Sequence, residues 1–226
     1  RIKHHLATML ETEKYHPDAY IFLVGVNDWN KHIKDLNGGL LFEIKNISST
    51  LLWRGFRLTK KIIQQNLFNK SQAVIRNYGE YYSEQNDSLS KEDIRRLTIK
   101  EVDPDYKKIL IKIADRCNAL SHECFFVSQP SAYSYDITTR LKSLLWMTPP
   151  NVNYTLDLQS LIEVAGTYNS ALLKIALDNG INFCDLAKEI PPSEKYFYDD
   201  VHFNENGSER VAVVLSQCIN LALINP

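Results

Sequence analysis

Three short apolar runs, each bounded by residues that stop a strand, constrain the fold of this chain more than any other feature. Tyr20-Ile21-Phe22-Leu23-Val24 runs into Gly25, and Cys124-Phe125-Phe126-Val127 runs into Ser128-Gln129-Pro130. Ile181-Asn182-Phe183-Cys184 follows the helix-closing pair Asn179-Gly180. Runs this short and this continuously apolar suit strands covered on both faces, as in a parallel sheet. Helical spacing fills the stretches between them. Tyr106, Ile109, Leu110, Ile113, Ala114, Cys117 and Leu120 form a stripe that opens on Asp103-Pro104, a cap followed by a proline fit for the first turn. Leu156 to Leu177 reads as another helix, and a last one runs from about Asn204 to Leu223. Ile2, Leu6, Met9 and Leu10 give residues 1–16 an amphipathic helix ended by Pro17. Strands alternating with helices predict right-handed crossovers. The expected class is therefore α/β, a three-layer α/β/α sandwich around a mainly parallel sheet.

The rest of the chain is less regular. Residues 29–38 are polar and close on Gly38-Gly39, which reads as a loop. Leu40 to Ile63 carries apolar positions at near-helical spacing, enough for one or two helices. Residues 66–103 form a polar excursion, part loop and part helix, and 131–154 form a long loop region. At 226 residues, one domain over 1–226 is expected.

Charge and composition exclude several partners. A net charge of −1, with 44% hydrophobic and 23% charged residues, gives no global field toward nucleic acid or an anionic membrane. Lys60-Lys61 is too short a basic patch to track phosphates and reads as a solvated helix face. No apolar run is long enough to cross a bilayer. The cysteines Cys117, Cys124, Cys184 and Cys218 fall in apolar patterns and read as buried thiols, with a Cys124–Cys184 disulfide left open by the strand assignment. There is no C-x-x-C, hence no thiol zinc or redox motif. Localisation and oligomeric state stay open.

Two segments carry chemistry. Asp199 stands three residues before His202, just ahead of the last helix. A carboxylate at that spacing can hold one imidazole nitrogen and leave the other to take a proton. A capping or surface histidine is the plain alternative. Asp200 then points elsewhere and is structural. Gly25-Val26-Asn27-Asp28 follows the first strand directly. Asn27 offers amide donors suited to a developing oxyanion, against the plain role of an asparagine in a turn. Asp28 is expected to pin its loop through backbone hydrogen bonds. Gln129 is placed at the same sheet edge, lining a pocket or stabilising its turn. Trp29, Tyr133 and Trp146 are placed in loops at that edge, where aromatic rings suit sugars or acyl chains and simple packing explains them as well.

G-x-N-D after a strand and D-x-x-H near the C-terminus, followed by Asn204 and Gly207 in an H-x-N-x-x-G pattern, resemble the SGNH (GDSL-type) hydrolases. The likeness spans most of the chain. It implies a flavodoxin-like α/β/α fold and ester hydrolysis without a cofactor. A serine would attack, His202 would take its proton, Asp199 would steady His202, and Asn27 would help hold the oxyanion. The substrate implied is a small-molecule or carbohydrate ester. The family's serine and second oxyanion residue precede G-x-N-D, and no G-D-S motif occurs in the chain. Ser208 lies within the last helix and is poorly placed to attack. The domain is therefore expected to be N-terminally incomplete, with the serine upstream, and residues 1–226 alone inactive or nearly so as an esterase. A non-catalytic carbohydrate-binding or interaction domain on the same fold is the alternative. A metal-dependent hydrolase using Asp28, Asp199, Asp200 and His202 is weaker, since one histidine among carboxylates lacks a ligand spacing.

Overall fold

The computed structural model describes residues 1–37, 93–120, 122–145, 149, 152 and 154–224. The helices expected over Leu40–Ile63 lie outside the described residues, as do Trp146 and residues 66–92 of the expected excursion.

Helix α1 (Ile2–Thr12) runs into a 3-10 turn at Glu13–Tyr15. There His16, at φ 51, bends the chain into β1 (Ala19–Leu23). Next come α2 (Val26–Asn37), β2 (Asp93–Arg95), α3 (Pro104–Leu120), β3 (Glu123–Val127), α4 (Thr139–Leu144) and β4 (Tyr154–Leu156). The chain ends with α5 (Leu158–Asp178), β5 (Asn182–Cys184), α6 (Leu186–Glu189) and α7 (Glu205–Ile224). No described helix is long and apolar enough to cross a membrane.

The central sheet is parallel, in the order β1-β3-β5. Its register determines which helix covers which side. Tyr20 lies opposite Cys124, Phe22 opposite Phe126, Phe126 opposite Phe183, and Val127 opposite Cys184. Paired residues point to one side and successive residues to opposite sides. Tyr20, Phe22, Cys124, Phe126 and Phe183 therefore share one face, and Phe125, Val127 and Cys184 the other. Cys124 is disulfide-bonded to Cys117 of α3, and Cys184 to Cys218 of α7. So α3 covers the first face and α7 the second. The ring of His5 in α1 meets Phe22 edge-on, which puts α1 beside α3. Cys124 through Val127 are all buried, as a strand covered on both faces requires. The result is a three-layer α/β/α sandwich.

Several expectations need correction. The cysteines are not free thiols, and the Cys124–Cys184 pairing is not the one formed. Each disulfide instead ties a strand to a helix. Of the expected loop over 29–38, residues 29–37 are helix, because Trp29 and Ile33, four apart, bury one narrow stripe beneath a polar face, and residue 38 lies outside the described residues. The end of the excursion is no loose insertion. β2 pairs in parallel with β4 in a second, two-stranded sheet. The segment after β2 is bonded along α5: Leu97 N–H donates to Ser160 Oγ, Thr167 Oγ1 to the Ile99 carbonyl, and Asp103 N–H to Tyr168 Oη. The 131–154 region contains α4, capped by Thr138 Oγ1 accepting from Leu141 N–H, and the start of β4. Leu156 belongs to β4, so the helix assigned from it starts two residues later, with Asp157 as its cap accepting from Ser160 N–H.

The Cys184–Cys218 bond spans a sequence separation of 34, and Cys117–Cys124 one of 7. In the chain-entropy account the longer ring restricts the unfolded state more. Denaturant unfolding without reductant should show a loss of about 4 kcal/mol for the Cys184→Ser/Cys218→Ser pair and about 2 kcal/mol for Cys117→Ser/Cys124→Ser. No cysteine of the native protein should alkylate before reduction.

Candidate active site

In a parallel sheet all strands end at one edge, and ligands bind beyond it. Gly25 to Asn27 follow β1 there, Ser128 to Tyr133 follow β3, and Asp185 follows β5. Polar bonds between loops fix this edge. Ser128 N–H donates to the Cys184 carbonyl at 3.1 Å. Its hydroxyl donates to Asp185 Oδ1 at 2.8 Å and accepts from Ala187 N–H at 2.8 Å. Gln129 is held through its backbone by the Asn169 amide of α5, which accepts its N–H at 2.9 Å and donates to its carbonyl at 3.0 Å. Ala132 N–H donates to the Asp200 carbonyl at 2.8 Å, joining the β3 loop to the segment that carries D-x-x-H.

That segment is a small closed turn. Phe197 and Phe203 form an antiparallel bridge with their rings 5.3 Å apart, and Tyr198 N–H donates to the His202 carbonyl at 3.2 Å. Inside the turn the Asp199 carboxylate has no exposed surface, while the His202 side chain is 48% exposed. Asp199 Oδ1 accepts N–H bonds from Val201 at 2.9 Å and His202 at 2.8 Å. Both carboxylate oxygens meet His202 Nδ1, at 3.0 and 2.8 Å. A carboxylate accepts only, so Nδ1 carries the proton and Nε2 is the basic nitrogen of the neutral ring. The hydrogen bond to Asp199 holds the imidazole pKa above its ordinary value against the opposing pull of burial, and the charges of Asp199 and Asp200 add to the rise. Tyr198 stacks on the ring at 5.8 Å between centroids.

The residues after His202 set the turn on its helix. Asn204 Oδ1 accepts the Gly207 N–H at 2.9 Å, a cap for α7, and Asn204 Nδ2 donates to the Glu194 carbonyl. A Cβ on Gly207 would stand 2.1 Å from the Tyr196 carbonyl oxygen, so only glycine fits. The Asn and Gly of H-x-N-x-x-G thus build the entry to α7.

The other expected residues are placed as follows. Asn27 is exposed on the first turn of α2. Asp28 is buried, and both its oxygens accept the Ile2 N–H, at 3.1 and 3.0 Å. Burial raises its pKa and the Ile2 bond opposes that. It stands in helix α2 and not in a loop, and the bond ties α2 to α1. Gln129 is buried, and its side-chain amide donates to the Pro130 carbonyl at 3.1 Å, which serves the turn. A Cβ on Gly25 would come 2.7 Å from Gln129 Cβ, so this glycine permits the close approach of the two loops. Trp29 is a correction. It lies in α2 and not a loop, is 1% exposed, and packs edge-on against Tyr168. Tyr133 lies in the β3 loop as expected but is buried, with its hydroxyl donating to Asp200 Oδ1 at 2.9 Å. Ser208 Oγ donates to the Asn204 carbonyl within α7. Among the described residues no group of three or more His, Cys, Asp or Glu could hold a metal ion. A groove of about 750 Å³ runs along α5 beside Thr167, Ser170 and Lys174, and neither Asn27 nor His202 lines it.

Ser128, Asn169 and Asp185 were not singled out by the sequence. Each acts through a bond to a partner 40 or more positions away, and such bonds have no local pattern.

No protein-family model matches the chain, and no curated protein matches it in sequence. Among solved structures it is similar to LAE5, an alpha/beta hydrolase enzyme from the metagenome of Lake Arreo, Spain, with 13% identity and a TM-score of 0.41. The match covers 94% of this chain and 65% of that one, so the chain spans less than two thirds of that enzyme's length. A likeness this distant assigns neither fold nor function.

Because the native pKa of His202 is raised, its bond to Asp199 stabilises the fold fully below the unfolded value and less as pH rises through the native value. Asp199→Asn should lower the His202 pKa, read by NMR titration. The stability gap between wild type and this variant should narrow across that rise, because the substituted amide oxygen can still accept the Val201 and His202 N–H bonds. Gly207→Ala should cost about 2–3 kcal/mol in denaturant unfolding, since a backbone carbonyl blocks the new methyl group.

Proposed function

We propose that this chain belongs to an ester hydrolase of the SGNH/GDSL type acting on acyl esters, with acetyl groups on carbohydrate as the substrate class to try first. One observation carries the reading: a wholly buried Asp199 carboxylate holds Nδ1 of a half-exposed His202. This is the arrangement a general base needs, with tautomer and ring orientation fixed and the other nitrogen directed away from the carboxylate. The turn is bonded to the loop that leaves β3, through Ala132 N–H and the Asp200 carbonyl, at the edge where ligands of parallel α/β sheets bind.

In this reading a serine outside the described residues supplies the attacking hydroxyl. His202 Nε2 takes its proton as the serine oxygen adds to the ester carbonyl. The imidazolium is stabilised by Asp199, and Asn27, at the N-terminus of α2, donates to the developing oxyanion. As the tetrahedral intermediate collapses, His202 returns the proton to the leaving alkoxide. Water then repeats the sequence on the acyl-serine and releases the acid.

His202→Ala in the full-length protein should lower kcat/KM for a short-chain nitrophenyl ester by about 10³-fold or more. Turnover unchanged from wild type would sink the assignment. A full-length protein that binds glycan yet never turns over ester would belong to the non-catalytic alternative.

A further inference from the structure

The β3 loop meets the Asp199–His202 turn at a buried contact that the catalytic reading leaves unused. Tyr133 and Asp200 are both buried, and the Tyr133 hydroxyl donates to Asp200 Oδ1 at 2.9 Å. One residue away, Ala132 N–H donates to the Asp200 carbonyl at 2.8 Å. Side chain and backbone of Asp200 are therefore both gripped by the same two-residue stretch. We propose that Tyr133 and Asp200 are a positioning pair for His202, with Tyr133 anchoring Asp200 so that the turn holds the imidazole in place and under the field of a second carboxylate. This rests on the reading of His202 as the general base.

Consecutive buried carboxylates repel one another, and each needs its own donors. Asp199 uses the N–H groups of Val201 and His202 together with the imidazole. Asp200 is served from across the edge by Tyr133. Removing the Tyr133 hydroxyl lets the Asp200 side chain shift away from the β3 loop. Such movement pulls on the backbone between Asp199 and Val201, and the Val201 N–H is one of the caps that orient Asp199. Disturbance at Tyr133 thereby reaches His202 without touching it. The charges of Asp199 and Asp200 both favour the imidazolium, and Tyr198 stacks on the ring.

Two variants separate position from charge. Asp200→Asn keeps an acceptor for Tyr133 but removes the negative charge, while Tyr133→Phe removes the anchoring hydroxyl. NMR titration of the full-length protein should find the His202 pKa lowered by about half a unit or more in Asp200→Asn. The acid limb of the kcat/KM profile for a nitrophenyl ester should move to lower pH by the same amount. Tyr133→Phe should lower kcat by about tenfold with KM within twofold, and change the His202 titration, in a protein that still unfolds cooperatively. A His202 pKa and pH profile unmoved in both variants, with only thermal stability reduced, would overturn the proposal. If Tyr133→Phe does not fold, the Asp200→Asn titration alone decides. The titration needs no turnover. An inactive wild type, or full activity in His202→Ala, would therefore refute the hydrolase reading and leave the pairing to be judged by the imidazole itself.

Discussion

A carboxylate with none of its surface in water must find its hydrogen-bond donors within the protein, and the candidate site follows from how Asp199 meets that demand. Its oxygens take two consecutive backbone N–H groups and one imidazole nitrogen. Accepting the N–H groups of Val201 and His202 forces the chain to curl around the carboxylate. The same curl brings His202 Nδ1 back to it three residues later. The Phe197–Phe203 bridge closes the curl, Asn204 starts α7 directly behind it, and Gly207 lets the helix pass the Tyr196 carbonyl. Each residue of the motif thus answers a geometric consequence of burying one charge.

Much of this was legible because it is local. D-x-x-H and the Asn204 cap act between residues three apart, so their spacing in the chain is their spacing in the fold. The same holds for the Asp103 cap of α3, whose Oδ1 accepts from Asp105 and Tyr106 N–H, and for Gly180, at φ +66 after α5. The middle strand β3 was legible for a different reason, whereas β1 leaves Ile21 exposed and was read from its apolar run alone. A parallel strand covered on both faces has no polar side to confuse the pattern, and Cys124 to Val127 are buried without a break.

Where the sequence misled, composition hid geometry. Residues 29–38 are polar by count, yet two apolar residues four apart are enough to hold a helix against the core. Trp29 consequently packs on Tyr168 and does not face a ligand. The cysteines are apolar in pattern whether free or bonded, so the sequence cannot distinguish a buried thiol from half of a disulfide. Their pairing depends on strand register and on which helix covers which face. Tyr133 is an aromatic residue in a loop, a description that fits a ligand platform and a buried anchor equally, and only the position of Asp200 separates them.

Loops beyond a sheet edge have no ladder to hold them, so their order must come from side chains. At this edge it comes from a few bonds of long sequence separation: Ser128 to Asp185, Asn169 to Gln129, and Tyr133 with Ala132 to Asp200. Each joins a loop either to another loop or to a rigid helix, and together they turn three independent connections into one surface. An imidazole half exposed to water takes its orientation from what holds it, and in the proposed role of general base a misplacement of about 1 Å can cost about a hundredfold in rate. The cross-links of the edge and the burial of Asp199 therefore serve one end. The sheet determines where the loops emerge, and the polar bonds determine where His202 points. The two disulfides bind the covering helices to β3 and β5, the strands from which two of those loops depart.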